Sequence, residues 1–332
     1  MNLTTDAQAM LLLCSHLGLS NYPELKPLTL REWNAMAHNI NASSFQRPSA
    51  LLGASTEELR AALNVSDDMA RRLVRLLERG GSLAIELERL ESLGIWVTTR
   101  ADIDYPEKWR KRLKSSAPTV LFGAGEKALL GQPGIAVVGS RNVSPEGKRF
   151  AELVGDACAH AGLVLYSGGA RGVDTIATQA ALDRRGTAVG ILAHSLEVTI
   201  RFPEMRQALV RGDLALVTPY APNAGFSVGA AMGRNKLIYT LADYAIVVAS
   251  DAGKGGTWSG ATEALKHQWV PVFVLEGPDM PEGNRQLLQK GVSPFPNSLL
   301  TSSLSLRTWL KSQSATLRPI EPVLFQAQLF AT

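Results

Sequence analysis

Two short segments place glycines, a hydroxyl and an arginine directly after apolar runs. Gly139–Arg141 follows the run Ile135–Val138, and Ser167–Asp174 follows the run Leu163–Tyr166. Small residues let an anion reach the backbone amides, and the guanidinium supplies positive charge. Parallel strands end at one edge of a sheet, so we expect both segments to meet in a single anion-binding crevice.

Two later segments carry similar chemistry. Met232–Lys236 places two cations around Asn235, ahead of the helical run Leu237–Leu241, and we interpret it as a loop. Such a loop suits backbone phosphates and a base edge, and an exposed helix start is the equal alternative. Ser250–Glu263 enters a helix through a Gly-Gly-Thr turn, which would present amides and a hydroxyl to an anion.

The order of residues in these segments argues against common nucleotide-binding motifs. Gly139–Arg141 belongs to no G-x-G-x-x-G fingerprint, and no acid follows the second strand where a dinucleotide ribose would need one. Ser250–Glu263 lacks the G-x-x-x-x-G-K-[ST] order of a P-loop. Glu263 is the one acid here that we consider as a catalytic residue. Asp174 is interpreted as a helix cap or as an anchor for a neighbouring arginine.

Phe202 completes the candidate set, because an aromatic ring after the third strand either stacks on a base or belongs to the core. The candidates for binding phosphates and single-stranded nucleic acid are Gly139, Ser140, Arg141, Ser167, Gly168, Gly169, Arg171, Phe202, Arg234, Asn235, Lys236, Lys254, Gly255, Gly256 and Thr257. We predict no metal site and no cofactor.

The apolar runs predict an α/β fold. Strands are expected near 135–138, 163–166, 187–192, 214–217, 244–249 and 270–275, and helices near 145–161, 173–185, 203–211, 228–241 and 257–268. Continuously apolar strands are typical of buried parallel sheets. We therefore predict a Rossmann-like, doubly wound, mainly parallel sheet, preceded by a small all-helical domain. The predicted domains are 1–95, 96–296 and 297–332, the last with a short helix over Leu304–Lys311.

The helical region carries clear start signals. Thr29, Ser55 and Ser66 are predicted N-caps. The helix after Ser66 holds four arginines, which form either a solvated face or contacts to phosphates. These arginines are Arg71, Arg72, Arg75 and Arg79.

Composition narrows the class of protein. The formal net charge of +4 is compatible with a nucleic-acid partner but does not require one. Cys14 and Cys158 lie far apart and outside any metal-binding pattern, which argues against a disulfide framework or a zinc site. No apolar run approaches the length of a membrane span, and the N-terminus lacks a basic signal region. We expect a cytoplasmic protein without a membrane partner.

Together these motifs resemble the DprA/Smf family of DNA-processing proteins, within the wider superfamily shared with LOG proteins. The resemblance covers about 98–278 and rests on Val137–Arg141, Ser167–Asp174, Arg234–Ile238 and the Asp104–Pro106 segment. The helical N-terminus is similar, less specifically, to the family's leading SAM- or HhH-like domain. We expect no counterpart of the winged-helix domain that some members carry at the C-terminus.

The resemblance implies an extended Rossmann-like fold that binds single-stranded DNA as a homodimer and loads a RecA-type recombinase. Carried onto this chain, the DNA pocket would use Gly139, Ser140, Arg141, Ser167, Gly168, Arg171, Asn235 and Lys236. The chain departs from the family at Ala193–Ser195, at Phe202–Pro203 and at Lys254–Ala261.

Our leading interpretation is a non-enzymatic protein that binds single-stranded DNA. One alternative is a nucleotide-binding or nucleotide-cleaving enzyme or sensor, because the Gly-Gly-Thr turn and Glu263 are similar to the LOG group. The other is a regulatory partner, such as a DprA-like antitoxin that binds a toxin in a phage-defence pair.

Overall fold

The computed structural model describes residues 3–20, 22–277, 280–301 and 306–316. The chain opens with helices α1 (Thr5–Cys14), α2 (Leu30–Ala42), α3 (Thr56–Leu63), α4 (Asp67–Leu77) and α5 (Gly80–Ser92). A 3₁₀ turn forms at Pro48–Leu51 between α2 and α3.

The predicted N-caps of this region are confirmed. The Thr29 hydroxyl accepts a hydrogen bond from the Glu32 amide, and the Glu32 carboxylate accepts one from the Thr29 amide. Ser55 and Glu58 form the same reciprocal capping box, and the Ser66 hydroxyl accepts from the Met69 amide. Each box satisfies amides that a helix start leaves without partners.

The arginines of α4 and its C-terminal end have partners within the chain, Arg71 and Arg75 at the surface and Arg79 in the interior. Arg71 pairs with Asp67 and Asp68, and Arg75 pairs with Glu24. Arg72 Nη1 lies 2.7 Å from Glu32 Oε1. Arg79 is buried and donates to the carbonyls of Leu12, Leu17 and Leu76. These pairings favour a structural role over contacts to phosphates.

The Arg72–Glu32 pair predicts a pH-dependent stability. The Arg72 hydrogen bond lowers the pKa of Glu32 from 4.5 to about 2. A depressed carboxyl pKa stabilises the fold above 4.5, and this stability is lost as the pH falls toward 2. Glu32→Gln keeps the capping box but removes the charge, so we expect about 1 kcal/mol less stability at neutral pH.

Urea denaturation at several pH values measures this difference, with Glu88→Gln on the exposed face of α5 as the control. The deficit of Glu32→Gln should narrow below pH 4.5. A deficit that is the same at every pH would show that the charge of Glu32 contributes nothing.

Nine strands of the described residues form one sheet, in the order β1-β2-β6-β5-β4-β3-β7-β8-β9. They are β1 (Ile95–Thr99), β2 (Val120–Gly125), β3 (Gly134–Val138), β4 (Val164–Ser167), β5 (Ala188–Ile191), β6 (Leu214–Thr218), β7 (Tyr244–Val247), β8 (Val272–Glu276) and β9 (Ser293–Pro296). The pairs β1–β2 and β2–β6 are antiparallel, and the run from β6 to β9 is parallel. The predicted α/β, doubly wound and mainly parallel sheet is confirmed.

Helices cover both faces of this sheet. They are α6 (Glu107–Leu113), α7 (Pro145–His160), α8 (Val173–Asp183), α9 (Leu196–Thr199), α10 (Pro203–Arg211), α11 (Val228–Leu241), α12 (Gly255–His267), α13 (Glu282–Gln289) and α14 (Leu306–Thr316). Alternate residues of β3 enter two different cores: Ile135 and Val137 belong to the core that also contains α7, α8 and the N-terminal helices, while Ala136 and Val138 belong to the core that contains α6, α11 and α12. Within the described ranges, no helix has the length and apolar character needed to cross a membrane.

Two parts of the chain differ from the sequence prediction. The helix expected near 228–241 forms as α11, so Met232–Lys236, which we interpreted as a loop, lies inside that helix. Ser293–Pro296, for which no strand was predicted, forms the edge strand β9 beside β8. The C-terminal helix begins at Leu306, and its predicted start at Leu304 lies outside the described residues, as does the chain after 316. The boundaries at 95 and 296 stay predictions.

Candidate functional site

A crevice opens where the strand order reverses. The chain steps from β3 outward to β6 on one side and places β7 to β9 on the other, so β3 and β7 flank the switch point. Beyond the carboxyl ends of these two strands lies a cavity of about 390 Å³, which we call the switch-point crevice. Open doubly wound sheets bind ligands at this position.

Backbone contacts lock the strand-end loops around the crevice. The Ser140 amide donates to the Ala249 carbonyl at 2.8 Å, which ties the β3 loop to the β7 loop. The Val173 amide donates to the Ser140 carbonyl at 3.3 Å, which ties in the β4 loop. Gly172 has φ +95°, and a Cβ there would collide with the Ser140 carbonyl oxygen and the Arg141 Cα. This position therefore requires glycine.

Arg141 lies on an aromatic ring at the mouth of the crevice. Its guanidinium carbon is 5.3 Å from the centre of the Phe226 ring, and both side chains are exposed. Beside them, Arg171 Nη2 donates to Asn142 Oδ1 at 3.3 Å. A cation beside an exposed ring can hold a phosphate and stack a base at adjacent points.

The first turn of α12 forms another wall of the crevice. Lys254 stands at its N-cap position, where no side chain caps the helix, and Gly255 to Thr257 line the cavity. The Asn235 side-chain amide donates to the Gly256 carbonyl at 3.0 Å, which ties α11 to this turn. Uncapped amides and the helix dipole make such a helix start suitable for binding an anion.

Arg234 is the most unusual side chain of the crevice. It lines the cavity although it is only 5% exposed, and its Nε and Nη1 atoms have no hydrogen-bond partner among the described residues. A Cβ at Gly168 would collide with Arg234 Nη1, so the guanidinium packs directly on that glycine. Burial lowers the pKa of Arg234, and the charge of Asp174 opposes this shift. An unpaired buried donor is costly, and an anion would supply its acceptor.

Asp174 supports the β4 loop at the floor of the crevice. Its Oδ2 accepts from the Gly168 amide at 3.1 Å and from the Ala170 amide at 3.4 Å. Burial raises the pKa of Asp174, while the charge of Arg234 and the two amides work in the opposite direction. Asp174 does not cap α8; it holds the β4 loop, a role that was not predicted, and its charge lies near that of Arg234, as the interpretation as an anchor for an arginine requires.

The structure gathers one part of the predicted set in the crevice. The candidates that line it are Gly139, Ser140, Arg141, Arg234, Asn235, Lys254, Gly255, Gly256 and Thr257. The candidates that do not line it are Ser167, Gly168, Gly169, Arg171, Phe202, Lys236 and Glu263. Whether any of these residues binds DNA stays a prediction.

The side chains outside the lining have other surroundings. The Ser167 hydroxyl is buried and donates to the Val137 carbonyl at 2.8 Å. Phe202 stands at the start of α10 and is 47% exposed, so it is not a core residue. Lys236 faces a different cavity, and Glu263 lies in the third turn of α12.

Several lining residues were not predicted from the sequence, chiefly Asn142, Phe226 and Tyr239. The tyrosine hydroxyl is buried without a partner in the described part of the chain. Phe226 lies in the connection between β6 and α11, a segment that contains no arginine to indicate an anion-binding loop. No group of three or more His, Cys, Asp or Glu in the described ranges could hold a metal ion.

Comparisons with known proteins identify a family. The family model for DNA recombination-mediator protein A matches residues 96–299. DNA processing protein DprA from Streptococcus pneumoniae is 30% identical over 181 residues, which make up 53% of this chain and 62% of that relative. The match thus spans about three fifths of the relative's length.

Solved structures show the same fold. The X-ray structure of DprA from S. pneumoniae has a TM-score of 0.64 and 21% identity, over 91% of this chain and 99% of that one. DNA processing protein A from Helicobacter pylori, whose structure concerns its unique single-stranded DNA binding mode, has a TM-score of 0.54 and 24% identity, over 67% and 96%. The family model covers more than half of the sequence, and this match confirms the resemblance that the sequence motifs indicated. The chain therefore belongs to the DNA recombination-mediator protein A (DprA/Smf) family.

Proposed function

We propose that the chain binds single-stranded DNA in the switch-point crevice. Family membership supports this function, as does the H. pylori relative whose structure concerns its single-stranded DNA binding mode. The single observation that carries the proposal is the convergence of Arg141, Arg234 and Lys254 with the uncapped start of α12 on one cavity. Cations and free amides together are what a phosphate needs.

The binding mode follows from the lining. Arg141 and Lys254 are exposed cations that neutralise phosphates. Arg234, which is buried in the wall of the crevice, supplies N–H donors for hydrogen bonds. Phe226 offers a face on which any base can stack. Phosphate contacts fix the position of the strand but carry no sequence information, so the proposed binding has little sequence preference.

We propose no catalytic step. Glu263, the acid considered for nucleotide chemistry, does not line the crevice. The lining acids are Asp174, which is buried and anchors backbone amides, and Asp251. A carboxylate must lie within hydrogen-bond reach of its substrate to act as a base.

We propose further that the chain acts as a homodimer that presents its bound strand to a recombinase in the cytoplasm. The resemblance to the DprA/Smf family is what supports these finer steps. Light scattering during gel filtration measures the oligomer. A strand-exchange assay on coated single strands, with and without the protein, measures the loading.

Arg141→Ala tests the pocket. We expect its affinity for a single strand to fall about five- to tenfold, because one charge-assisted contact is lost. The slope of log K against log salt should become less negative by about 0.7, since one phosphate contact disappears. Fluorescence anisotropy over a salt series measures both quantities, with single- and double-stranded DNA compared.

Arg31→Ala is the matched control, because Arg31 is an exposed guanidinium on α2, away from the crevice. This variant should retain wild-type affinity and slope. If Arg141→Ala behaves as Arg31→Ala does, the crevice is not the DNA site.

A further inference from the structure

The buried polar side-chain atoms that lack partners are concentrated in one place. Across the described ranges, three such atoms have no hydrogen-bond partner: Arg234 Nε, Arg234 Nη1 and the Tyr239 hydroxyl oxygen. Both residues line the switch-point crevice, and we call them the deep donors. Buried donors without acceptors are rare in proteins, so their concentration on one cavity indicates a ligand that supplies the acceptors.

The deep donors lie well below the mouth of the crevice. Arg234 is 5% exposed and packs on Gly168 of the β4 loop, and Tyr239 is 1% exposed. A Cβ at Gly260 would lie 3.5 Å from the Tyr239 hydroxyl, which therefore stands beside α12, the helix with the uncapped start. Burial lowers the pKa of Arg234 and raises that of Tyr239, and the charge of Asp174 is the second influence on each. Both donors thus lie near the same carboxylate.

The exposed cations of the crevice lie at its mouth. Arg141 and Lys254 can neutralise the phosphates of a strand that crosses there. An internal phosphate of such a strand has a sugar on each side and two free oxygens, whereas a terminal phosphate has one sugar, three free oxygens and about two negative charges. The terminal group matches the deep donors better, because it offers one oxygen to each donor atom and has no second sugar to keep it out.

The volume of the crevice agrees with one end of a strand. At about 390 Å³ it lies near the lower limit of small-molecule cavities, about 300–1,000 Å³, which leaves room for roughly one nucleotide. The exposed ring of Phe226 stands at the mouth, where the base of the next nucleotide can stack on it.

Two acids also line the crevice, and a phosphate would meet their charge. Asp251 is exposed, so water screens it. Asp174 is buried, and its Oδ2 accepts from the Gly168 and Ala170 amides. Burial raises the pKa of Asp174, so this carboxylate can take up a proton as a phosphate enters. The repulsion then disappears.

We infer that the deep donors bind the terminal phosphate monoester of a single strand, so that the crevice holds a strand end and distinguishes a phosphorylated end from a hydroxyl end. This inference rests on the proposed function for the binding of the strand itself. A 5′ end, a 3′ end and a free mononucleotide offer the same phosphate, and the experiment separates these sources.

Competition anisotropy with oligothymidylates of about 12 nucleotides measures the preference for a phosphorylated end. The competitors carry a 5′-phosphate, a 3′-phosphate or two hydroxyl ends. A hydroxyl-ended strand that is one nucleotide longer is the charge control, because it has as many phosphates as a phosphorylated strand. We expect a strand with one of the two phosphorylated ends to bind about tenfold or more tightly than this longer strand, through hydrogen bonds to a charged group.

Tyr239→Phe removes the deep hydroxyl. The ratio of the two affinities should fall about fivefold or more, because one donor to the charged phosphate is lost. Urea denaturation should show no loss of stability, since this hydroxyl has no partner in the described part of the chain. Tyr244→Phe is the matched control, because Tyr244 lies at the amino end of β7 and does not line the crevice. It should retain the wild-type ratio.

Calorimetric titration with thymidine 5′- and 3′-monophosphate forms the last arm. Binding of a mononucleotide that Tyr239→Phe weakens, without a preference among strands, supports the deep donors as a phosphate monoester site for a free nucleotide. The inference is overturned if phosphorylated strands bind as the longer strand does and no mononucleotide binds. It is also overturned if Tyr239→Phe changes neither the strand preference nor the nucleotide affinity. Failure of the proposed function looks different: the wild type would bind none of the strands.

Discussion

Arg234→Met is expected to lose about thirtyfold or more of the affinity for single-stranded DNA while the protein stays folded. The guanidinium is 5% exposed, and its Nε and Nη1 have no partners, so a phosphate in the crevice would give it the acceptor that the described protein lacks. A hydrogen bond to a charged group contributes about 1.5–3 kcal/mol, and loss of two would exceed one order of magnitude in affinity. Anisotropy at fixed salt measures the affinity.

The fold should tolerate this change because methionine fills similar space without unsatisfied donors. Asp174 keeps its two amide donors, and burial already raises its pKa, so it can take a proton when the arginine is absent. We therefore expect the free energy of unfolding in urea to fall by less than the roughly 3–5 kcal/mol that loss of one partner of a buried ion pair usually costs. Arg234→Lys retains the charge but not the planar fork, and it should fall between the wild type and Arg234→Met.

Two results would contradict this expectation. Wild-type affinity in Arg234→Met would show that the buried guanidinium only supports the β4 loop. A loss of stability that accounts for the loss of binding would assign Arg234 to the fold.

The sequence predicts the sheet and the strand-end loops for a simple physical reason. Continuously apolar runs such as Ile135–Val138 can only be buried on both faces, and parallel pairing then brings their carboxyl ends together. Gly139–Arg141 and Ser167–Asp174 follow such runs, so their meeting in space is a consequence of topology.

The face on which a side chain lies is harder to predict. Interpreting Met232–Lys236 as a loop placed Asn235 and Lys236 in one pocket, whereas in α11 they point about 100° apart and line different cavities. The helix near 228–241 was predicted, but Gly229, Ala230 and Gly233 carry almost no side chain, so the sequence does not show which residues share a face.

Strand β9 was missed because its sequence, Ser-Pro-Phe-Pro, contains two prolines. Proline cannot donate to a ladder, and this argues against an internal strand. At the edge of the sheet the missing amide donors do not matter, because one side of the strand has no neighbour. Buried Phe295 stabilises the segment by packing against Phe150 and Trp309.

Gly172→Ala is expected to destabilise the fold and open the crevice together. The backbone at Gly172 has φ +95° and ψ −133°, a region that only glycine adopts without strain. A methyl group there would also meet the Ser140 carbonyl oxygen and the Arg141 Cα, which are backbone atoms that cannot rotate away. Strain and collision together should cost about 3 kcal/mol or more of unfolding free energy. Urea denaturation measures this cost.

The same change should weaken single-strand binding beyond what unfolding explains. Relief of the collision must separate the β3 and β4 loops. Ser140, in the β3 loop, accepts a hydrogen bond from the β4 loop through its carbonyl and donates one to the β7 loop through its amide, so this movement disturbs all three loops. Arg141 would then move off its position in the crevice. Gly131→Ala is the matched control, since its added methyl group meets nothing within 4 Å and its φ is not positive. If Gly172→Ala unfolds and binds as Gly131→Ala does, the three loops are not mechanically coupled, and the crevice depends on its side chains alone.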